Sequence, residues 1–185
     1  MKTNINTFMK TLLAILIFWT LSSTTYAQDS WKISEDYSIK FSGSGAEGTF
    51  GGLKGKILFD PQKPEDSKFE VTLDPSSIDT GNKTKNKHAR GKSWFHVDKY
   101  IDIRFVSNKI YSVEQQYVAE GLLTLHGIEK AAKITFSYQE SAAGKATFEG
   151  KLTVNRQDFG IEGPFISFMV GDEFEVMITV NAVKE

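Results

Sequence analysis

Residues 173–180, EFEVMITV, show the alternation of apolar and other side chains that recurs along the chain. Its residues Phe174, Val176, Ile178 and Val180 are apolar, and each is separated from the next by one residue of the other face. Alternation at a period of two is typical of a β-strand that buries one face. Aromatic and β-branched side chains, which suit a half-buried pleated surface, fill the apolar positions. We therefore predict a strand with one buried face.

The same alternation recurs along the chain, with Gly, Pro, Asn or Asp clusters between the segments. No segment shows a sustained 3.6-residue apolar period, which a helical domain would require. With residues 173–180 counted, the alternating segments predict at least eight strands, the others being SIKF (38–41), GKILF (55–59), KFEVTL (68–73), DIRF (102–105), YVAEGLLTL (117–125), KITFSY (133–138) and TFEGKLTV (147–154).

Short connections such as residues 59–69 and 139–146 favour antiparallel neighbours, because a parallel pair needs a long crossover. About eight antiparallel strands can form a sandwich or a closed barrel, and closure removes exposed edges. An eight-stranded barrel has room for one small ligand, and an interior filled by side chains is the alternative. Residues 81–93 do not alternate, which predicts one short helix or loop there.

Residues 1–27 are predicted to be a cleaved signal peptide. Lys2 and Lys10 precede the apolar run of residues 11–21, and small residues lead to Ala27. This run is too short for a membrane-spanning helix. We therefore expect one mature domain, residues 28–185, in the periplasm or secreted.

The charge and the absence of cysteine exclude several classes of function. Loss of Lys2 and Lys10 leaves 20 Lys and Arg against 23 Asp and Glu, a net charge of −3. A mildly acidic domain is a poor generic binder of nucleic acid. The chain has no cysteine, so disulfides, thiol catalysis and thiolate metal sites are excluded.

Catalytic and metal-binding motifs are missing. The three histidines do not form an HExxH pattern, and no nucleophile elbow or phosphate-binding Gly loop occurs. His88, His96 and Asp98 could converge only if the loops bring them together. These are too few ligands to favour a zinc site. We expect no enzyme activity, no cofactor and no metal.

Two further polar residues have both a structural and a ligand-binding interpretation. His126 follows a strand and precedes Gly127, so its ring is expected to bond to turn backbone, with ligand contact as the alternative. Arg156 lies among turn-forming residues and is expected to pair with Asp158 or another carboxylate. Its alternative role is to donate to a polar headgroup.

The stretch KTKNKHARGKSWF, residues 83–95, holds five Lys or Arg and one His in its first ten residues. In an acidic domain, a solvated loop is the expected role of Lys83, Lys85 and Lys87. Trp94 and Phe95 are expected to pack back into the barrel. We expect no nucleic-acid partner.

Seven segments in this order resemble the YceI-like polyisoprenoid-binding family. They are GTFGGLKGKILFDP (48–61), SSIDTGN (76–82), HARGKSWFHVDKY (88–100), IRFVS (103–107), GLLTLHGIEK (121–130), VNRQDFGI (154–161) and GDEFEVMI (171–178). The resemblance extends from about Trp31 to the C-terminus. It implies an all-β, extended eight-stranded antiparallel barrel, similar to lipocalins, with a long apolar tunnel. Family members typically bind an isoprenoid or acyl amphiphile without catalysis in the periplasm.

On this basis we predict which residues contact the ligand. Inward apolar side chains would line the tunnel, and His88 and Arg90 would face the headgroup, with His126 and Arg156 as further polar candidates. The apolar candidates are Phe41, Phe50, Phe105, Leu125 and Phe136. The expected partner is a long-chain isoprenoid, isoprenoid quinone or fatty-acid derivative. Contact with a membrane, with a membrane redox protein or with a second copy of the chain stays open.

Two rival functions remain at this point. An enzyme acting on a lipid in the same cavity would need an acid–base pair, for which only His126, Arg156 and His88 are candidates. A filled barrel could instead dock a partner protein through its outer face or the basic stretch.

Overall fold

Eight antiparallel strands close into one barrel in sequence order, and β8 pairs back with β1. The computed structural model describes residues 29–141, 143–164 and 169–185. The predicted all-β barrel is confirmed, whereas the predicted signal peptide lies outside the described residues. The strands are β1 Ser30–Gly43, β2 Ala46–Leu58, β3 Lys68–Asp79, β4 Ile103–Val113, β5 Gln116–Leu125, β6 Ile128–Ser141, β7 Lys145–Asn155 and β8 Glu173–Lys184.

The barrel has two different ends. At one end, here called the helix end, lie the β1–β2 turn, the β3–β4 connection, the β5–β6 turn and the β7–β8 connection. The opposite end carries the connections β2–β3, β4–β5 and β6–β7. The two longest connections, β3–β4 with the helix α1, Lys83–Arg90, and β7–β8, therefore lie at the same mouth of the barrel.

The helix α1 falls within the predicted insertion at residues 81–93. Its N-cap is Asn82, whose side chain accepts hydrogen bonds from the backbone N–H groups of Thr84 and Lys85. An asparagine cap satisfies amides that the first helical turn leaves without partners. None of the residues of α1 is buried, so the helix lies on the surface of the mouth.

Strand β3 is longer than the sequence predicted, since it continues past Leu73 to Asp79. Its pairing with β4 ends at Leu73, opposite Ile103. Pro75 lies just beyond, where the missing N–H costs no ladder bond to β4. The proline therefore does not end the strand.

The backbones of β2 and β3 approach each other closely at Gly55. Gly55 has φ 139°, and a Cβ atom there would lie 2.1 Å from the carbonyl oxygen of Glu70 on β3. Only glycine allows this close approach of two backbones. The close approach follows an irregular register between Gly51 and Lys54.

Within the described ranges, no helix has the length and apolar character needed to cross a membrane.

Candidate ligand-binding cavity

A cavity of about 610 Å³ occupies the barrel toward the helix end. The inward side chains of β8 that the sequence singled out, Phe174, Val176, Ile178 and Val180, form one of its walls. The other walls carry the same kind of apolar residue, among them Ile39, Phe41, Phe50, Leu53, Val71, Leu73, Ile78, Ile103, Phe105, Leu123, Leu125, Ile134, Phe136, Leu152 and Val154. The volume lies in the ordinary range for small-molecule sites.

Aromatic side chains fill the barrel beyond this cavity, toward the opposite end. Phe59 is fully buried and touches the rings of Phe69, Tyr117, Phe136, Tyr138 and Phe148 at centroid distances of 4.9–6.1 Å. Trp31 packs edge-on against two of the same rings. The long tunnel implied by the resemblance is therefore a cavity with an aromatic floor.

The polar side chains that line the cavity lie at the helix end. Among the described residues they are Thr80, Lys85, His88 and Arg156, and none of the described lining residues is Asp or Glu. An apolar body with a few polar groups at its mouth is the usual arrangement for an amphiphilic ligand. The mouth carries donors and positive charge, which suit an oxygen-rich or anionic headgroup.

Hydrogen bonds to the end of β3 fix the position of α1. The Asn86 side chain donates to Asp79 Oδ1 at 2.9 Å and accepts from the Thr80 N–H at 2.8 Å. This hydrogen bond from Asn86, aided by the Gly81 N–H, holds the pKa of the Asp79 carboxyl below its ordinary value. Helix α1 is thus tied to the barrel while its lysines reach solvent.

The residues of α1 divide between two faces. Lys85, His88 and Ala89 line the cavity mouth, at the i, i+3 and i+4 spacing that places residues on one side of a helix. Arg90 belongs to another face and donates to the carbonyl of Ile78 at 3.0 Å. Arg90 therefore anchors the helix and does not line the cavity.

Aromatic rings connect α1 with the barrel wall. Phe95, just after the helix, packs on Phe50 at 5.5 Å between centroids, and Phe50 packs on Phe41 at 5.2 Å. Phe41 in turn meets Phe174 at 6.1 Å. As expected, the pair Trp94 and Phe95 packs back onto the barrel, and both residues line the cavity.

Arg156 organises the β7–β8 connection. Its buried guanidinium donates to the backbone carbonyls of Ile161, Glu162, Val170 and Gly171 at 2.6–3.3 Å. It also pairs with Asp172 at 2.7 Å, rather than with Asp158, and lies 5.5 Å from the Trp94 ring centre. These contacts engage every guanidinium nitrogen and match the structural interpretation of this residue.

His126 lies in the β5–β6 turn and does not line the cavity. Its Nδ1 is 3.1 Å from the carbonyl oxygen of Phe159, and because a carbonyl only accepts, Nδ1 donates. The ring packs against Tyr100 at 4.2 Å. Its Nε2 is buried and, among the described residues, has no hydrogen-bond partner. The contact with backbone agrees with the structural interpretation of His126.

Comparison with known proteins now identifies the family. The family model of the YceI-like domain matches residues 27–182. The chain belongs to the YceI-like family. A UPF0312 protein of Pseudomonas fluorescens SBW25 is 35% identical over 164 residues, covering 84% of this chain and 80% of that one. A UPF0312 protein of Pseudomonas savastanoi is 38% identical over 136 residues, covering 70% of this chain and 71% of that one.

Solved structures share the barrel. BcnA of Burkholderia cenocepacia superposes with a TM-score of 0.77 at 24% identity, over 82% of this chain and 100% of that one. A Campylobacter jejuni YceI protein variant gives 0.65 at 26% identity, over 75% and 84%. A polyisoprenoid-binding domain of Saccharophagus degradans gives 0.68 at 14% identity, over 86% and 100%. At these low identities, the first and last of these structures establish the fold alone.

In this YceI-like barrel, most of the predicted ligand-contacting residues line the cavity. These are Phe41, Phe50, His88, Phe105, Leu125, Phe136 and Arg156, whereas Arg90 and His126 do not line it. Binding by any of them stays a prediction.

Sequence reasoning missed two groups of lining residues in this YceI-like chain. Lys85 is exposed, as the sequence predicted, and it also lines the mouth, which identifying residues 83–90 as a helix would have indicated by placing it beside His88. Ile161, Pro164, Met169 and Val170 come from the β7–β8 connection, where no periodic pattern marks an inward residue.

Within the described part of the chain, no three His, Asp or Glu side chains are grouped so that they could hold a metal ion.

Proposed function

We propose that this YceI-like protein binds the apolar chain of a long amphiphile, either isoprenoid or acyl, inside the barrel. The observation that carries the proposal is the cavity of about 610 Å³, whose walls are apolar and whose polar side chains lie at one end. The Saccharophagus degradans domain is a polyisoprenoid-binding domain, which supports an isoprenoid among the candidates.

Burial of the chain would supply the affinity. Each methylene removed from water contributes about 0.8 kcal/mol, so ten methylenes would contribute about 8 kcal/mol before costs. Part of this gain is offset by the lost freedom of the ligand and by the desolvation of polar groups. The inner face of the barrel needs no specific polar contacts to bind an apolar chain, and few of its described side chains are polar.

The headgroup would lie at the helix end. Thr80, Lys85 and His88 line the mouth and offer a hydroxyl, an ammonium and an imidazole, and no carboxylate occurs among the lining residues that the structure describes. Arg156 is already saturated by backbone carbonyls and Asp172. We infer that Lys85 and His88 discriminate between headgroups.

A carrier or store, rather than an enzyme, fits this arrangement best. General acid–base catalysis needs a positioned donor and acceptor beside the reacting atoms. The lining residues place one histidine and one lysine at the mouth and no carboxylate beside them. With the predicted signal peptide, these features support an exported binding protein that keeps an insoluble chain out of water.

A pair of neighbouring substitutions on β8 tests the proposal. Val176 points into the cavity, whereas Met177 is on the outer face and 46% exposed. A long-chain fatty acid with a polarity-sensitive fluorophore is titrated into the wild type, Val176→Trp and Met177→Trp. We expect saturable binding by wild type and Met177→Trp, and a loss of at least about tenfold in affinity for Val176→Trp because the indole fills the space.

Circular dichroism and thermal melts of both variants confirm that they are folded. Equal affinity of the two folded variants, or no saturable binding by the wild type, would reject the cavity as the binding site.

A further inference from the structure

Pairing between β6 and β7 stops short of the helix end of the closed barrel. Hydrogen-bonded pairing of these strands runs from Ser141 opposite Lys145 to Thr135 opposite Lys151 and stops there. Both strands continue beyond this point, β6 toward Ile128 and β7 toward Asn155. These continuing parts pair only with their outer neighbours, β5 and β8. The two strands thus diverge and leave a cleft.

This cleft has a volume of about 420 Å³, and its two lips differ from the apolar cavity behind them. Residues 130–133 of β6 form one lip, and Thr153 and Asn155 of β7, followed by Asp158 and Phe159, form the other. Lys133 on the first lip pairs with Glu120 at 2.8 Å. The outer opening of the cleft therefore carries polar side chains and charges of both signs.

The cleft lies against the wall of the cavity. Leu123 and Val154 line both spaces, so these two residues lie between the cleft and the interior of the barrel. Ile134 and Leu152, one on each strand beside the last hydrogen-bonded pair, also line the cavity. At this level the described parts of β6 and β7 form no hydrogen-bonded pair that would separate solvent from the apolar interior.

The helix end is more firmly closed. Arg156 holds the β7–β8 connection through four backbone carbonyls, and the Gly171 N–H donates to the Ser44 carbonyl at 2.7 Å. Arg90 and Asn86 tie α1 to β3. Opening this end would break several hydrogen bonds, whereas opening the cleft would break the hydrogen bond from His126 to the Phe159 carbonyl and displace the buried Phe159 ring, between strands that are already unpaired.

We propose that the cleft between β6 and β7 is a lateral entrance, through which the apolar chain of the amphiphile passes into the cavity from the side. This inference rests on the proposed binding of such a chain. The head would stay in the polar surroundings outside while the chain moves inward and would then follow it to Lys85 and His88 at the helix end, with α1 staying in place. The amphiphile is the one occupant for which the cleft is proposed, because the cleft and the cavity share the lining residues Leu123 and Val154.

The absence of cysteine from the chain allows a direct test by single-site labelling. Thr153→Cys and Ala131→Cys place one thiol on each lip, at exposed positions. Thr49→Cys is the matched control, an exposed threonine on β2 that lines neither space. Each variant is coupled to a bulky maleimide, and the rates of uptake and release of the fluorescent fatty acid are measured by stopped flow.

We expect labels at residues 153 and 131 to slow both uptake and release by about tenfold or more, with the equilibrium affinity little changed, because a gate alters both rates together. The label at residue 49 should leave both rates as in the unlabelled protein. If the lip labels leave the rates unchanged while binding persists, entry occurs elsewhere and the lateral entrance is rejected. If the unlabelled protein binds no fatty acid, the proposed function itself fails.

Discussion

The indole Nε1 of Trp31 donates a 3.0 Å hydrogen bond to the backbone carbonyl of Phe59, and both side chains are almost completely buried. The bond joins the start of β1 to the end of β2 at the floor of the cavity. This buried hydrogen bond stabilises the folded state, because a buried carbonyl without a partner costs free energy. The aromatic floor is thereby fixed to the wall, and it sets the depth available to a bound chain.

Phe59→Ala should deepen the cavity and destabilise the protein. Removing a large buried ring usually costs about 3–5 kcal/mol of unfolding free energy. The vacated space would lengthen the apolar path, so longer chains should gain affinity relative to shorter ones. Urea unfolding and a series of fatty acids of increasing length provide the two measurements. An unchanged chain-length profile in the folded variant would show that the floor does not limit the ligand.

Arg156→Met should loosen the β7–β8 connection. Four backbone carbonyls lose their donor, and each unsatisfied buried group costs about 1–3 kcal/mol unless water replaces it. We expect a loss of at least about 2 kcal/mol in urea unfolding, on the same grounds. Asp172→Asn is the control, because Asp172 is half exposed and its pair with Arg156 should contribute about 1 kcal/mol or less. Similar losses in both variants would contradict the dominant role of the carbonyl contacts.

Lys85→Ala and His88→Ala should weaken binding of a fatty acid more than binding of the matching long-chain alcohol. Both side chains line the mouth, and an ammonium or imidazole favours a carboxylate over a hydroxyl. Arg90→Ala is the control on the same helix, since Arg90 binds the Ile78 carbonyl and not the cavity. The affinities are compared by competition against the fluorescent probe. Equal losses for acid and alcohol would leave the two residues with a structural role only.

Tyr138 makes the free energy of unfolding depend on pH in the alkaline range. Burial, and then the hydrogen bond that its hydroxyl donates to Glu140, raise the pKa of Tyr138 above its ordinary value of 10.0. The folded state therefore holds this proton more tightly than the unfolded chain does. The resulting stabilisation is complete below about pH 10 and is lost as the pH rises beyond it.

Tyr138→Phe should make the alkaline decline in unfolding free energy shallower. A full proton difference corresponds to a slope of about 1.4 kcal/mol per pH unit, and partial exposure of Tyr138 makes the expected difference smaller. Urea unfolding at pH values from about 8 to about 11.5, which span the ordinary pKa of tyrosine, gives the slope of unfolding free energy against pH for the wild type and for Tyr138→Phe. Parallel slopes would contradict the role assigned to Tyr138.

The barrel was predictable from the sequence because strand alternation reports which face is buried. Phe105, Leu125 and Phe136 occupy alternating positions in three segments, and all three line the cavity. Alternation cannot distinguish a ring that lines a cavity from one that fills the barrel. Phe59 continues the alternation of Ile57, yet Phe59 belongs to the floor and Ile57 to the cavity wall. That difference depends on how neighbouring rings pack across the barrel.

The mouth was harder to predict, because its residues come from connections. His88 and Arg90 are two positions apart, which places them on different faces once residues 83–90 form a helix. The partners of Arg156 are mostly backbone carbonyls, which carry no sequence signal. The divergence of β6 and β7 depends on register, and both strands read as ordinary alternating segments.

Native mass spectrometry of the protein purified from its native host shows directly whether an amphiphile occupies the barrel cavity. We expect wild-type protein and Met177→Trp to carry one noncovalent adduct with the mass of a long-chain isoprenoid or acyl amphiphile, released on collisional activation. Val176→Trp, folded but with its cavity filled, should appear at its bare mass. Bare masses for all three proteins, or an adduct that survives in Val176→Trp, would contradict the account.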